Sequence, residues 1–317
     1  MKIMVGQVSA RARALRKKSS DAHMDRLDSG FDHGAMNKEA PTALVLGGTG
    51  RTGSLLAGAL ARRGITPRTA SRRGADVRFD WDDPATHPDA LAGVDRLYLV
   101  TPVMRIRYAS QVAAFFDLAE TAGVRHVTFL STYNADQAPR EIDIAAVEAD
   151  LASRRAMTYS VLRPAWVMQN FADDHLPVID SLITAPSNGG REAFVDAQDI
   201  AAVAAETLMH PKTHAGATYS LAGPQALTFR DTADTIASVS GRPVFYNDID
   251  QEAWISGALA AGVPADYAVM LRWLTDAIIT GDGATPTGDI EKVTGRPATT
   301  FREFAERNAR AWALEAS

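Results

Sequence analysis

From residue 43 to residue 162, short apolar runs alternate with stretches whose apolar residues recur at helical spacing. The segments 43–46, 67–70, 77–79, 96–100, 126–130 and 158–162 read as strands. Between the last three lie two amphipathic helices. One carries Val112, Phe115, Phe116 and Ala119 on a single face, and the other carries Ile144, Val147 and Leu151. Strands alternating with helices predict an α/β fold: a Rossmann-type, doubly wound parallel sheet covered on both faces. After Asn170 the pattern changes. Two short strands are expected at 193–195 and 217–221, and the remainder is mainly helical. Thr228 with Asp231, and Thr300 with Glu303, have capping-box spacing, so helices are expected to start there. Phe301, Phe304, Ala305 and Trp312 repeat at helical spacing and read as core. The expected organisation is a nucleotide-binding domain over 41–170 and a smaller, mainly helical substrate lobe over 171–317, interleaved with it.

Ligands of such sheets bind beyond the carboxyl ends of the strands. The working segments are therefore 47–53, 71–73, 80–81, 101–103, 131–133 and 164–171. The first is the most informative. Residues 44–53 read LVLGGTGRTG, an apolar strand running into glycines spaced G-x-x-G-x-x-G and then into a helix with Leu56, Ala59 and Leu60 on one face. Gly47 permits a sharp turn, Gly50 a close approach to a pyrophosphate, and Gly53 close packing of helix on strand. Thr49, Arg51 and Thr52 lie between them, at the positive end of the helix.

The second strand identifies the dinucleotide. NAD-specific sites place Asp or Glu about 20 residues beyond the glycines to hold the ribose 2′-hydroxyl. Here that strand ends in Ser71-Arg72-Arg73-Gly74, and Arg72 lies 19 positions after Gly53. Guanidinium forks match a phosphate dianion, so the position fits the 2′-phosphate of NADP. Arg51 is a further candidate for that phosphate.

Composition narrows the reading by exclusion. With 317 residues, 46% of them apolar, the chain can bury a substantial core. A net charge of −5 argues against non-specific nucleic-acid binding. The sequence has no cysteine, which removes disulfides, thiolate catalysis and cysteine metal sites. His210 and His214 are four apart, but Pro211 interrupts the helix that would align them, so no metal site is expected. No apolar run approaches the roughly 18 to 20 residues that span a bilayer. The expected partner is a small-molecule substrate, with neither nucleic acid nor membrane; monomer and homodimer stay equally open. Residues 1–40 read as a disordered extension. They carry a basic cluster (Arg11, Arg13, Arg16, Lys17, Lys18) without a convincing presequence, and Met36 offers an alternative start just before the first strand.

With these residues in hand, the chain resembles the NmrA-like group of atypical short-chain dehydrogenases. Within it the resemblance is strongest to the ergot-alkaloid reductase (festuclavine-synthase-like) type, with NADPH:quinone reductases a little further off. The stretches that carry it are GGTGRTG at 47–53, ASRR at 70–73, FDWDDPAT at 79–86, LYLVTP at 97–102, VLRPAWVMQNF at 161–171, FVDAQDIAAVA at 194–204, YSLAGPQALTF at 219–229 and VTGRPATTFREFA at 293–305. The resemblance implies a cytoplasmic NADP(H) oxidoreductase of secondary metabolism. It implies that Gly47, Thr49, Gly50, Arg51 and Thr52 hold the pyrophosphate and Arg72 the 2′-phosphate. Asp80 and Trp81 would border the adenine, Thr101 and Pro102 the nicotinamide ribose, and Ser131 and Tyr133 the nicotinamide. Trp166, Met168 and Asn170 would line the substrate side.

One departure matters. Short-chain dehydrogenases commonly use Tyr-x-x-x-Lys, in which lysine lowers the tyrosine pKa for proton exchange with a carbonyl oxygen. The helix after the fifth strand offers Ile144, Val147, Glu148 and Leu151 instead. Simple alcohol–ketone chemistry thereby loses its usual donor, and a carbohydrate epimerase on this fold is weakened for the same reason. An iminium needs only hydride, and a quinone or activated enone tolerates a weaker donor. Tyr133 is the expected donor by position, with Asp173, Asp174 and His175 next. The expected function is an NADPH-dependent reductase of an iminium, quinone or enone-like small molecule. The alternative is a catalytically silent NADP(H) sensor acting through protein contacts.

Overall fold

A computed structural model describes residues 41–173 and 175–313. The first half runs β1 (Thr42–Leu46), α1 (Arg51–Ala61), β2 (Thr66–Ser71), β3 (Val77–Arg78), α2 (His87–Leu91), β4 (Arg96–Val100), α3 (Ala109–Ala122), β5 (His126–Leu130), α4 (Ile144–Ser153) and β6 (Thr158–Pro164). The second half runs β7 (Leu182–Ala185), β8 (Arg191–Glu192), α5 (Ala197–Met209), β9 (Ala217–Leu221), β10 (Leu227–Thr228), α6 (Phe229–Ser240), β11 (Phe245–Asp248), α7 (Gln251–Ala260), α8 (Ala268–Thr280), α9 (Asp289–Thr294) and α10 (Phe301–Arg307).

The main sheet has the order β3-β2-β1-β4-β5-β6-β9, and its neighbours pair in parallel throughout. Side chains alternate across it with the period of two that a strand imposes. Leu44, Leu46, Leu97 and Leu99 enter one core, closed by Val112, Phe115 and Phe116 of α3 and Val147 and Leu151 of α4. Ala43, Val45 and Tyr98 enter the other, closed by Leu56 and Leu60 of α1 and Ile200, Val203 and Leu208 of α5. Each large apolar side chain buried this way contributes about 1.5–3 kcal/mol relative to exposure. The strand order reverses between β1 and β4, and that switch point opens the crevice in which ligands of such sheets sit.

A third core lies beyond the carboxyl ends of the strands. Phe171, Phe194, Phe229 and Phe301 pack there with ring centroids 5.1–6.1 Å apart. Trp312 closes it by donating its indole N–H to the Phe171 carbonyl at 2.7 Å. Both expected capping boxes form and start the helices that deliver these rings: Thr228 with Asp231 opens α6, and Thr300 with Glu303 opens α10.

The strand expected at 217–221 is β9, which joins the main sheet beside β6, while α5 packs on α1. The strand expected at 193–195 lies earlier, as β8, paired antiparallel with β10. The backbone of 193–195 takes irregular partners instead: Ala193 N–H donates to Gly283 and Val195 N–H to Trp166. Strands β7 and β11, which pair in parallel, carry no sequence alternation that would announce them. The extension expected at 1–40, with its basic cluster and Met36, lies outside the described residues.

Candidate active site

The glycine turn has the backbone its spacing requires. Gly47 adopts φ +64°, in the left-handed region where a side chain is strained. A Cβ on Gly53 would stand 2.3 Å from the Gly47 carbonyl oxygen, so only glycine lets α1 approach the turn. Gly48 is equally constrained, by Thr69 on β2 at 2.6 Å, a requirement the spacing alone did not reveal. The N-terminus of α1 carries no side-chain cap, and Thr49 and Gly50 are exposed beside it. Uncapped N–H groups at the positive end of an eleven-residue helix form a cradle for a phosphate.

At the end of β2, the Ser71 and Thr49 hydroxyls stand 2.8 Å apart. Arg72 and Arg73 are exposed, and neither forms an ion pair among the described residues. Two free guanidiniums beside the cradle fit a ribose 2′-phosphate. Arg51 is placed differently. Its guanidinium donates to Asn170 Oδ1 at 2.8 Å and pairs with Asp173 at 2.5 Å, with His175 against it. These partners engage its guanidinium with the 170–175 segment, whereas Arg72 and Arg73 carry no such partner among the described residues. Asp80 and Trp81 follow β3. The Trp81 ring packs edge-on against Phe79 and Phe115, and the Asp80 carbonyl accepts from His87 Nε2 at 3.0 Å. Thr101 and Pro102 follow β4, Thr101 half-buried and Pro102 buried.

Beyond the cradle lies a cavity of about 580 Å³. Tyr133, Trp166 and Asn170 line it, together with Trp254 of α7, Trp273 of α8 and Glu192 of β8. Among the described lining residues there is neither Lys nor Arg. Large apolar walls with a few convergent polar groups suit a small planar ligand. Met168 is not among those walls. It is 1% exposed, packed in the third core with its terminal methyl near Gly223, so its assignment to the substrate side is corrected.

Ser131 is also turned from its expected place. Its hydroxyl donates to Glu148 Oε1 at 2.5 Å, and Arg163 grips the same carboxylate with donations of 3.1 and 2.5 Å. The helix that would carry the Tyr/Lys pair thus holds a carboxylate–guanidinium clamp, with Ile144 buried in the core. Tyr133 does reach the cavity. Burial raises the pKa of its hydroxyl, and the Glu192 and Asp282 carboxylates raise it further, making it a weaker acid. Asp173 is a poorer donor: although burial opposes it, hydrogen bonds from His175 and the Arg51 charge hold its carboxyl below the usual range. Asp174 lies outside the described residues.

Glu192 is the functional candidate that sequence reasoning missed. It is 2% exposed, yet it lines the cavity. Burial pushes its carboxyl up to about 7, opposed only by the Trp166 N–H donating to Oε1 at 3.2 Å. The Oε2 atom sits where a Cβ on residue 283 would be, so Gly283 makes the room. The one sequence signal was an acidic residue directly before the apolar Ala193-Phe194-Val195. Among the described residues no helix is long and apolar enough to cross a membrane, and no group of three His, Asp or Glu could hold a metal ion.

Comparison with known proteins bears on the family and the fold. The NmrA-like family model matches residues 39–306. The chain is 32% identical to an NAD(P)H azoreductase of Xenophilus azovorans over 283 residues, covering 85% of this chain and 98% of the relative. It is 31% identical to festuclavine synthase II of Penicillium roqueforti over 294 residues, 86% of this chain and the whole relative. Among solved structures, the NADPH-dependent quinone oxidoreductase QOR2 of Escherichia coli, complexed with NADPH, superposes with a TM-score of 0.66. The two are 26% identical over 84% of this chain and 99% of the other.

Proposed function

The chain belongs to the NmrA-like family, and from that premise we propose that it is an NADPH-dependent reductase of small molecules. The observation that carries the proposal is the junction of two sites: an uncapped, glycine-lined helix N-terminus beside two free arginines, and an aromatic cavity of about 580 Å³ next to it. Asn170 joins them, lining the cavity while accepting from Arg51 at the start of α1. The names of the relatives, an azoreductase, a festuclavine synthase and a quinone oxidoreductase, support the same chemistry.

Gly47, Thr49, Gly50, Thr52 and Gly53 hold the pyrophosphate, and Ser71, Arg72 and Arg73 the 2′-phosphate. The cofactor, when bound, supplies a hydride. Trp166 and the tryptophans of α7 and α8 press a planar acceptor into place and exclude water from it. Tyr133 hydrogen-bonds the acceptor from the end of β5. Because a Tyr/Lys pair is missing, the acceptor class is an iminium, a quinone or an activated enone rather than a simple ketone. NADPH oxidation followed by absorbance against a panel of cyclic iminium salts, quinones and enones tests the reading. Turnover of at least one class is expected. Tight NADP(H) binding with no turnover of any would replace it with a silent NADP(H) sensor.

A further inference from the structure

We propose that Glu192 is the acid of this cavity, giving its proton to the oxygen of a neutral, carbonyl-type acceptor. The proposal rests on the reductase reading and adds the missing proton source to it. Three features of the site carry it. The carboxyl lines the aromatic cavity while being 2% exposed, so whatever fills the cavity meets it out of water. Its only hydrogen bond among the described residues is from the Trp166 backbone to Oε1, which leaves Oε2 without a protein partner to hold its proton. Gly283, against which Oε2 rests, admits no side chain, so the carboxyl is held in a fitted niche.

Among the described residues, the charges around it leave the carboxyl without a counter-ion. Arg191, its neighbour on β8, turns to Asp231 and the Ala226 carbonyl. On α8, Arg272 pairs with Glu252, and Asp276 accepts from Gln251. Asp282, Tyr133 and Tyr267 bring no positive charge, and His175 on the cavity wall is engaged by Arg51 and Asp173. A buried carboxyl without a cation keeps its proton, and burial holds this one near pH 7. That value matches a general acid at neutral pH, where the tyrosine hydroxyl is too weak.

The step balances as follows. Hydride from the reduced nicotinamide forms the new C–H bond, so the acceptor is reduced by two electrons and NADPH is oxidised. The Glu192 O–H bond breaks as the acceptor O–H bond forms. The resulting carboxylate regains its proton from water after product leaves.

The experiment compares wild type, E192Q and Y133F, using the quinone menadione and a cyclic iminium salt as acceptors. The first readout needs no turnover: menadione binding to the NADP⁺-loaded protein, followed by quenching of the cavity tryptophans. In wild type the affinity should fall about tenfold as pH rises through about 7, because a donor becomes an anion facing a carbonyl. In E192Q, whose amide still donates, affinity should stay level with pH. The second readout is kcat. E192Q should lose about 10²- to 10⁴-fold with menadione while its KM stays near that of wild type, whereas Y133F should lose under about tenfold. Unchanged NADPH affinity in E192Q shows that it folds. Menadione turnover that survives in E192Q with the same pH profile would overturn the proposal and leave the reductase reading intact. So would reduction of the iminium salt alone, at equal rates in wild type and E192Q. A wild type whose menadione affinity ignores pH overturns it whatever the turnover. Failure to reduce either acceptor, or any of the wider panel, overturns the reductase reading and this proposal with it.

Discussion

Replacing Glu192 by Gln should stabilise the protein at pH 8 and do so far less at acid pH. The carboxyl titrates near 7 when folded, against its ordinary 4.5. Below 4.5 both folded and unfolded chains hold the proton, and the group costs nothing. As pH rises, the unfolded chain releases its proton first, so stability present below 4.5 is lost progressively until the folded carboxyl ionises near 7. The gap spans about two and a half pH units at about 1.4 kcal/mol each, so about 3 kcal/mol is lost by pH 8. Glutamine keeps the shape and can still accept from Trp166 N–H, but it never ionises. The advantage of E192Q over wild type should therefore grow by about 3 kcal/mol between pH 4.5 and pH 8, or roughly 5 °C in Tm for a folded region of this size. Thermal melts of both proteins at the two pH values measure it. Comparing variant with wild type at each pH cancels every other titrating group. An equal Tm difference at both would show that the carboxyl is not buried as the structure places it, and the general-acid argument would lose its basis.

Arg72→Glu should weaken NADPH binding by about 2 kcal/mol or more while sparing NADH, by removing a charge-assisted contact and adding repulsion; equal dissociation constants for the two cofactors in wild type would refute the 2′-phosphate assignment. Trp166→Ala should raise KM for the acceptor. Met168→Ala should instead leave KM unchanged and cost about 2–5 kcal/mol in a urea melt, because it sits in the core. His126 is buried against Arg96 and His214, and burial above all holds its pKa down at about 4, from 6.5. Its contribution to stability is present above 6.5 and lost as pH falls toward 4, about 3 kcal/mol in all, so urea melts of His126→Gln should show a flatter acid limb than wild type.

The architecture was legible in the sequence because burial on both faces writes itself into composition. In the main sheet β1, β3, β4 and β5 are each followed by a helix before the next strand, and both capping boxes used side chains at fixed offsets. Chemistry that depends on contacts between distant segments was not legible. Arg51 could be placed at the helix start, but the Asn170 and Asp173 that capture it lie about 120 residues on. Met168 alternates with Trp166 and Asn170 in one run, yet the backbone leaves β6 and turns into a short helix at Met168–Phe171, which buries that one side chain. Glu192 stands between Arg191 and the apolar Ala193-Phe194-Val195, with nothing in its spacing to mark it, and only the fold places its carboxyl at the cavity.

The same distinction accounts for the missing catalytic pair. In this chain the place of the Tyr/Lys helix is taken by Glu148, held by Ser131 and by two donations from Arg163, which also reaches Asp136 at 2.7 Å. A carboxylate with three such contacts is committed to the clamp, and it does not line the cavity. The acid has to come from elsewhere in the cavity wall. The structure offers a carboxyl there with the opposite surroundings: no cation, one backbone donor and an aromatic environment. Two glutamates of one fold thus meet opposite surroundings: Glu148 is gripped by a guanidinium, whereas Glu192 is buried beside one backbone donor, which favours its neutral form. A chain that dispenses with a tyrosine activated by lysine can still reduce a neutral acceptor, provided burial has raised a carboxyl to the pH at which it works.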